Sequence, residues 1–224
     1  IHYRQAGLWV KAATTLDVLS GGRSYFGIGA AWNEDESRAW GFPMPPLGQR
    51  FEMLEETLQL AHQAWTGEQG TREPFEGTHY QLTDPLNSPQ ALSKPHPPIL
   101  IGGGGERRTL KYVAKYADAC NIFGTDVAQL EHKYGVLRRH CENVGRDYAE
   151  IEKSLLTGVS ITPDGAHRSL TPSAMVDRFG RAAEAGAQHA IFGINGVEDL
   201  SKIELIGSDV IPQLRDVGDP SPIR

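Results

Sequence analysis

The chain has 224 residues, 39% of them hydrophobic and 22% charged, which is apolar material for one sizeable core and describes an ordinary globular protein. A formal charge of −6 and a pI near 5.8, with no local run of basic residues, exclude an electrostatic footprint for nucleic acid or an anionic membrane. No apolar run approaches the ~20 residues that cross a bilayer, and the first residues carry no signal-peptide pattern, so a cytoplasmic protein without membrane or nucleic-acid partners is expected.

In chain order, Leu8, Ala12, Leu16 and Leu19 set out an amphipathic helix that stops at Ser20-Gly21-Gly22. Ser24 to Ala31 reads as a strand ending in small residues, where backbone must come near something. The acids Glu34, Asp35 and Glu36 follow; such a run caps a helix and stays solvated more often than it does acid–base chemistry. Residues 38–47, with Pro43, Pro45 and Pro46, read as loop. Gln49 to Trp65 is a long helix with Phe51, Leu54, Leu58, Ala61 and Trp65 at helical spacing, and Phe51 and Trp65 are assigned to packing. Residues 67–97 break the rhythm, with a hairpin-like signal at His79-Tyr80-Gln81-Leu82, and read as a lid-like insertion.

The cadence then returns. Strand Pro97–Ile101 leads through Gly102-Gly103-Gly104-Gly105 into a helix from Arg107 to Tyr116. Strand Ala119–Phe123, a helix over 127–144 and strand Ile151–Ile161 follow. A helix from Pro172 to Ala185 with Thr171 as N-cap, strand Ala190–Gly193 and a helix over 200–210 complete it, and the tail Gly218 to Pro222 reads as disordered or surface-bound. Cys120 and Cys141 have no metal-ligand spacing and are expected as free thiols, with no metal site.

Four glycines between a buried strand and a helix are where an α/β protein binds phosphate. They let backbone approach a ligand, their N–H groups are donors, and the helix adds the positive end of its dipole. The competing reading is relief of crowding in a tight turn. The run is neither a Walker loop nor the dinucleotide fingerprint, because the Lys-Ser/Thr and the glycine spacing are missing. Five strand–helix pairs behind one leading helix call for parallel βαβ units, either as an open doubly wound sheet or as part of an eight-stranded barrel.

Four ordered stretches carry a resemblance: Ser20-Gly21-Gly22-Arg23 into Gly27 to Glu36, Gln49 to Glu56, Pro97 to Glu106, and Tyr116 to Asn121. Together they resemble the luciferase-like monooxygenase superfamily, nearest its coenzyme F420-dependent oxidoreductase branch, over nearly the whole chain. The resemblance implies an α/β fold, a (β/α)₈ TIM barrel whose cofactor lies in the C-terminal mouth. Gly102, Gly103, Gly104 and Gly105 would lie against the cofactor's phosphate and ribityl chain, and Gly29, Ala30, Ala31 and Asn33 would line the deazaflavin or its tail.

In that family about three further strands precede the segment matching Ile1 to Arg4 and supply part of the cofactor bed. The expectation is therefore a single, incomplete barrel domain over 1–224 whose first strands belong to the natural polypeptide ahead of residue 1. A dimer supplying the missing wall, or an open five-stranded sheet, are the alternatives. Strands near Tyr25–Gly29 and Ala190–Gly193 would then be edges.

The implied activity is hydride transfer between F420 and a small organic substrate. The alternatives are an FMN-dependent luciferase-like monooxygenase fed by a partner flavin reductase, and a non-catalytic barrel fragment or binding module. A homodimer is expected. His2 and Tyr3 at a strand's mouth end and His79 in the insertion are the candidate proton donors, against surface histidine and tyrosine as the plainer reading. Arg107 and Arg108 would assist an anionic group or remain solvated.

Overall fold

The computed structural model describes residues 1–66 and 72–215. The tail assigned to Gly218–Pro222 and the start of the insertion, residues 67–71, lie outside the described residues. Two compact units are formed, residues 1–102 with 107–119 and residues 103–106 with 120 onward.

In the first unit, α1 (Ala6–Ser20) opens with the Gln5 side chain accepting from the Leu8 N–H and closes at Gly21. It is followed by β1 (Phe26–Ile28), α2 (Glu34–Ala39), α3 (Leu47–Ala64), a small antiparallel hairpin of β2 (Phe75–Glu76) and β3 (Gln81–Leu82), β4 (Ile99–Gly102) and α4 (Thr109–Tyr116). β1 and β4 pair in parallel, with Phe26 opposite Ile99 and Ile28 opposite Ile101. Parallel pairing brings the C-terminal ends of both strands to one edge, followed in sequence by Gly29 and Gly103. The helical stripe Leu54, Leu58, Ala61 and Trp65 packs inward with Val10, Phe26, Ile99 and Ile101. Trp65 donates to Thr14 Oγ1 (2.8 Å) and meets Phe26 edge-on, and Phe51 meets Tyr112 edge-on; both aromatics serve packing.

The described part of the insertion is tied down at several points. The Glu56 carboxylate accepts from the N–H groups of Thr78, His79 and Tyr80. Asn87 and Gln90 donate to the Ala64 carbonyl, and Ser93 donates to the buried Asp17 carboxylate from both its N–H (2.9 Å) and its hydroxyl (2.7 Å).

The second unit holds most of β5 (Ala119–Phe123), then α5 (Val127–Val144), β6 (Glu152–Val159), α6 (Pro172–Glu184), β7 (His189–Ile194), α7 (Leu200–Asp209) and α8 (Ile211–Leu214). β6 and β7 pair in parallel from Ser154–His189 to Val159–Ile194. β5 lies beside β6, where Ser154 Oγ donates to the Cys120 carbonyl (2.7 Å) and accepts from Asn121 Nδ2 (2.9 Å). Thr171 caps α6 by accepting from the Ala174 N–H, with Pro172 in the first turn where its missing N–H costs nothing. Both cysteines are buried and free, and burial pushes the Cys120 thiol up to about 12. Among the described residues β1 has β4 as its one partner strand and β7 has β6, so both are edges.

Several boundaries differ from the sequence reading, three of them around the glycine-rich segments. β1 ends at Ile28, not Ala31, because Ala31 turns into the left-handed region (φ 61°) and leaves the ladder. α2 extends into the segment read as loop. α4 begins at Thr109, not Arg107, because Glu106 is drawn aside by α5: its Oε1 accepts from Lys133 Nζ (2.6 Å) and pairs with His132 Nε2 (3.0 Å), while its carbonyl meets His140 Nε2 (2.8 Å).

Candidate functional site

Of the five residues between β1 and α2, four are held in place and Trp32 is exposed. A Cβ on Gly29 would stand 3.3 Å from the Gly102 carbonyl oxygen, so glycine there answers a close approach of the two strand ends. Ala30 and Ala31 both give their carbonyls to Arg50 Nη1, at 3.1 and 2.7 Å. Asn33 is the N-cap of α2, its Oδ1 accepting from the Glu36 N–H at 3.1 Å. Glu34, Asp35 and Glu36 form the exposed first turn of that helix, where they complement its dipole.

Arg50 is only 7% exposed, has no carboxylate within ion-pair distance among the described residues, and leaves its Nε without a partner. Next to this clamp is a short polar chain. His2 Nε2 is 2.7 Å from Ser37 Oγ, which donates to Tyr3 Oη (3.2 Å), and Ser37 is fully buried. Burial, reinforced by the nearby charge of Arg50, holds the His2 imidazole below its ordinary value. A neutral imidazole at this place is a proton acceptor. The structure thus brings His2 and Tyr3 together through a serine. His79 lies elsewhere, its Nε2 3.1 Å from Glu52 Oε2 on α3.

The glycine run divides by role. Gly103 has a φ of 116°, which only glycine adopts without strain, and its N–H is taken by the Asn121 carbonyl at 2.8 Å. It is therefore no free donor, contrary to the expectation that all four glycines cradle a ligand. The N–H groups of Gly104 and Gly105 have no acceptor among the described residues. A Cβ on Gly104 would meet only ordinary contacts, Ile122 Cγ2 and Lys133 Cε at 3.8 Å, so space does not demand glycine there. Lys133 therefore passes close to Gly104 on its way to Glu106, placing a cation by the loop. Arg107 is exposed. Arg108 turns to α3, over the Phe51 ring and within 3.4 Å of the Gly48 carbonyl.

Arg50, Ser37 and Lys133 were not singled out from sequence. Arg50 had a signal: it occupies the same helical stripe as Leu54, Leu58 and Ala61, where a charge needs a reason. Ser37 and Lys133 carried none. Among the described residues no group of His, Cys, Asp or Glu could hold a metal ion, and no helix is long and apolar enough to cross a membrane.

A family model described as luciferase-like monooxygenase matches residues 2–193. An uncharacterized protein of Mycobacterium tuberculosis, Rv0953c, is 29% identical over 184 residues, 82% of this chain and 57% of that protein; the chain thus spans little more than half the length of that relative. An F420-dependent glucose-6-phosphate dehydrogenase of Kineococcus radiotolerans is 31% identical over 161 residues, 70% of this chain and 45% of that enzyme. The fold matches that of an F420-dependent secondary alcohol dehydrogenase solved with an F420–acetone adduct, with a TM-score of 0.84 at 17% identity over 96% of this chain and 77% of the other. The α/β fold is therefore that of luciferase-like TIM-barrel structures.

Proposed function

We propose a function from one established premise: the chain belongs to the luciferase-like monooxygenase family. The reading is an oxidoreductase that transfers hydride between coenzyme F420 and a small organic substrate. The observation that carries it is the pair of unpartnered N–H groups at Gly104 and Gly105, following a parallel strand, with the Lys133 side chain running past Gly104 to its ion pair with Glu106. Unpaired backbone donors suit a phosphate oxygen. These two donors fit the phosphate of such a cofactor. Gly29, Ala30, Ala31 and Asn33 would hold the ring or its tail, and Asn33 keeps its amide NH₂ for that purpose because its Oδ1 alone serves the cap.

When bound, the deazaflavin supplies the hydride carrier. The protein's part is orientation, exclusion of water and the handling of one proton, because oxidising an alcohol releases a proton along with the hydride. Tyr3 Oη would take that proton while handing its own to Ser37 Oγ, whose hydroxyl, turned from Tyr3 to His2, passes a proton to the neutral His2 Nε2, and would return it by the reverse path. His79, paired with Glu52, is given no part.

The test is spectroscopic. F420 absorbance is followed with a panel of small alcohols and aldehydes under nitrogen and under air, with reduced FMN in parallel. Oxygen-independent conversion of F420 is the expected result. Turnover only with reduced FMN and oxygen would replace this reading by the monooxygenase one.

A further inference from the structure

Arg50 is the least economical residue in the first unit. It is an arginine only 7% exposed, without a carboxylate partner among the described residues, and with a buried Nε that donates to nothing. Burying an unpaired charge is costly, so the arrangement needs a return. Its visible contacts are two: one nitrogen, Nη1, donates to the carbonyls of Ala30 and Ala31. Ala31 holds a φ of 61°, a region an alanine rarely adopts because its Cβ crowds the following carbonyl. Gly29 before it is packed on the Gly102 carbonyl and Asn33 after it is fixed as a helix cap, so Ala30 and Ala31 are the only residues of the connection whose course is set by a side chain from another element.

We propose that Arg50 is a positioning residue. By drawing both carbonyls toward α3 it holds Ala31 in the left-handed conformation and so shapes the Gly29–Asn33 floor that receives the cofactor. The inference rests on the reading that this connection lines the cofactor. Lysine is no substitute, because its ammonium on a flexible stem is not fixed in place as one nitrogen of a rigid, planar guanidinium in a packed site is. The strain at Ala31 supplies the internal check. If the conformation is what Arg50 provides, glycine at position 31 adopts it without help, and the two residues are coupled.

The experiment compares wild type, Arg50→Lys, Arg50→Met, Ala31→Gly and the Arg50→Met/Ala31→Gly double variant. Two readouts are taken: hydrogen exchange of residues 29–33 in the unliganded protein, and the Kd for F420 by fluorescence titration. Arg50→Met is expected to speed exchange in 29–33 and weaken binding about tenfold, equivalent to about 1.4 kcal/mol. Arg50→Lys should fall nearer Arg50→Met than wild type. Ala31→Gly alone should bind within about threefold of wild type, and added to Arg50→Met it should recover most of the loss in both readouts. Unchanged exchange and affinity in Arg50→Met overturn the clamp, as does a double variant no better than Arg50→Met. If Arg50→Met fails to fold, Ala31→Val probes the same conformation from the other partner: weakened F420 binding is expected, and unaltered binding overturns the proposal. A wild type that binds no F420 overturns the cofactor reading instead, recognisable because the exchange difference at 29–33 then survives without any binding to accompany it, and with it falls the purpose given to Arg50.

Discussion

Replacing Glu56 by Ala should release the 77–80 turn of the insertion while the rest of the first unit stays folded. The Glu56 carboxylate is the single acceptor for three consecutive backbone donors: Oε1 takes the Thr78 N–H at 2.7 Å, and Oε2 takes those of His79 at 2.9 Å and Tyr80 at 3.1 Å. Well-formed hydrogen bonds to a charged group contribute roughly 1.5–3 kcal/mol each, and the partial exposure of this turn reduces that. At about 1 kcal/mol apiece the three sum to about 3 kcal/mol, or roughly a hundredfold in the local opening equilibrium. Hydrogen exchange at Thr78, His79 and Tyr80 should accelerate by that factor, while amides in β4 are unaffected. Gly77 provides a cross-check. A Cβ there would stand 2.7 Å from Glu56 Cδ and 2.9 Å from Phe75 Cε1, so Gly77→Ala collides with the carboxylate that holds the turn. Gly77→Ala should therefore cost less in the Glu56→Ala background than in wild type. Unchanged exchange at 78–80 in Glu56→Ala, or strict additivity of the two substitutions, would refute the reasoning.

Asp17 and His189 set opposite pH dependences. At Asp17, burial alone would raise the carboxyl, but the hydrogen bonds from Ser93 and Ser24 outweigh it and the value is lowered. A lowered folded value means a contribution that is present above the unfolded value, about 3.9, and lost as pH falls through the folded one. Asp17→Asn should lower Tm by roughly 4–8 °C at pH 7, for about 2 kcal/mol of lost charged hydrogen bonding, and the gap to wild type should shrink below about pH 4. His189 is raised by its hydrogen bond to Glu152 at 2.7 Å, so its contribution is complete below the unfolded value of about 6.5 and is lost as pH rises through the folded value. The Tm difference between wild type and His189→Asn should be larger at pH 5.5 than at pH 8.5; an equal or reversed difference contradicts the pairing. Cys120, pushed up to about 12 by burial, should resist alkylation at pH 8 in the native protein and react only on unfolding.

What was legible in the sequence was whatever depends on near neighbours. Thr171-Pro172 starts a helix by local capping chemistry, Leu54, Leu58 and Ala61 declare a buried face by their period, and apolar runs such as Ile99–Ile101 declare buried strands. Apart from the extension of α2, which is local, the misses involve residues distant in sequence. The start of α4 slipped because Glu106 is claimed by Lys133, 27 positions later, and β1 was shortened by an arginine 19 positions beyond Ala31. The Gly77 requirement likewise comes from Glu56, which no local pattern around Gly77 announces. In the candidate site the position of the small residues and glycines at strand ends was legible, since they follow apolar runs directly. Which N–H groups stay free was not, because that turned on the partner that Asn121 supplies to Gly103.

The central claim is that the N–H groups of Gly104 and Gly105 receive the phosphate of F420, and one substitution isolates it. Gly103 is unsuitable, since any side chain there is strained at a φ of 116°, whereas a Cβ at Gly104 meets nothing closer than 3.8 Å. Gly104→Val adds a β-branched side chain without the strain of a positive φ and should crowd a ligand seated on the loop, and its Tm, recorded beside its affinity, shows that the fold is kept. The decisive measurement is a fluorescence titration of F420 into wild type and Gly104→Val at matched ionic strength, with Tm recorded for both. The account predicts saturable binding to wild type and a loss of at least about tenfold in the variant. Equal affinity in the two, with Gly104→Val folded, would contradict it.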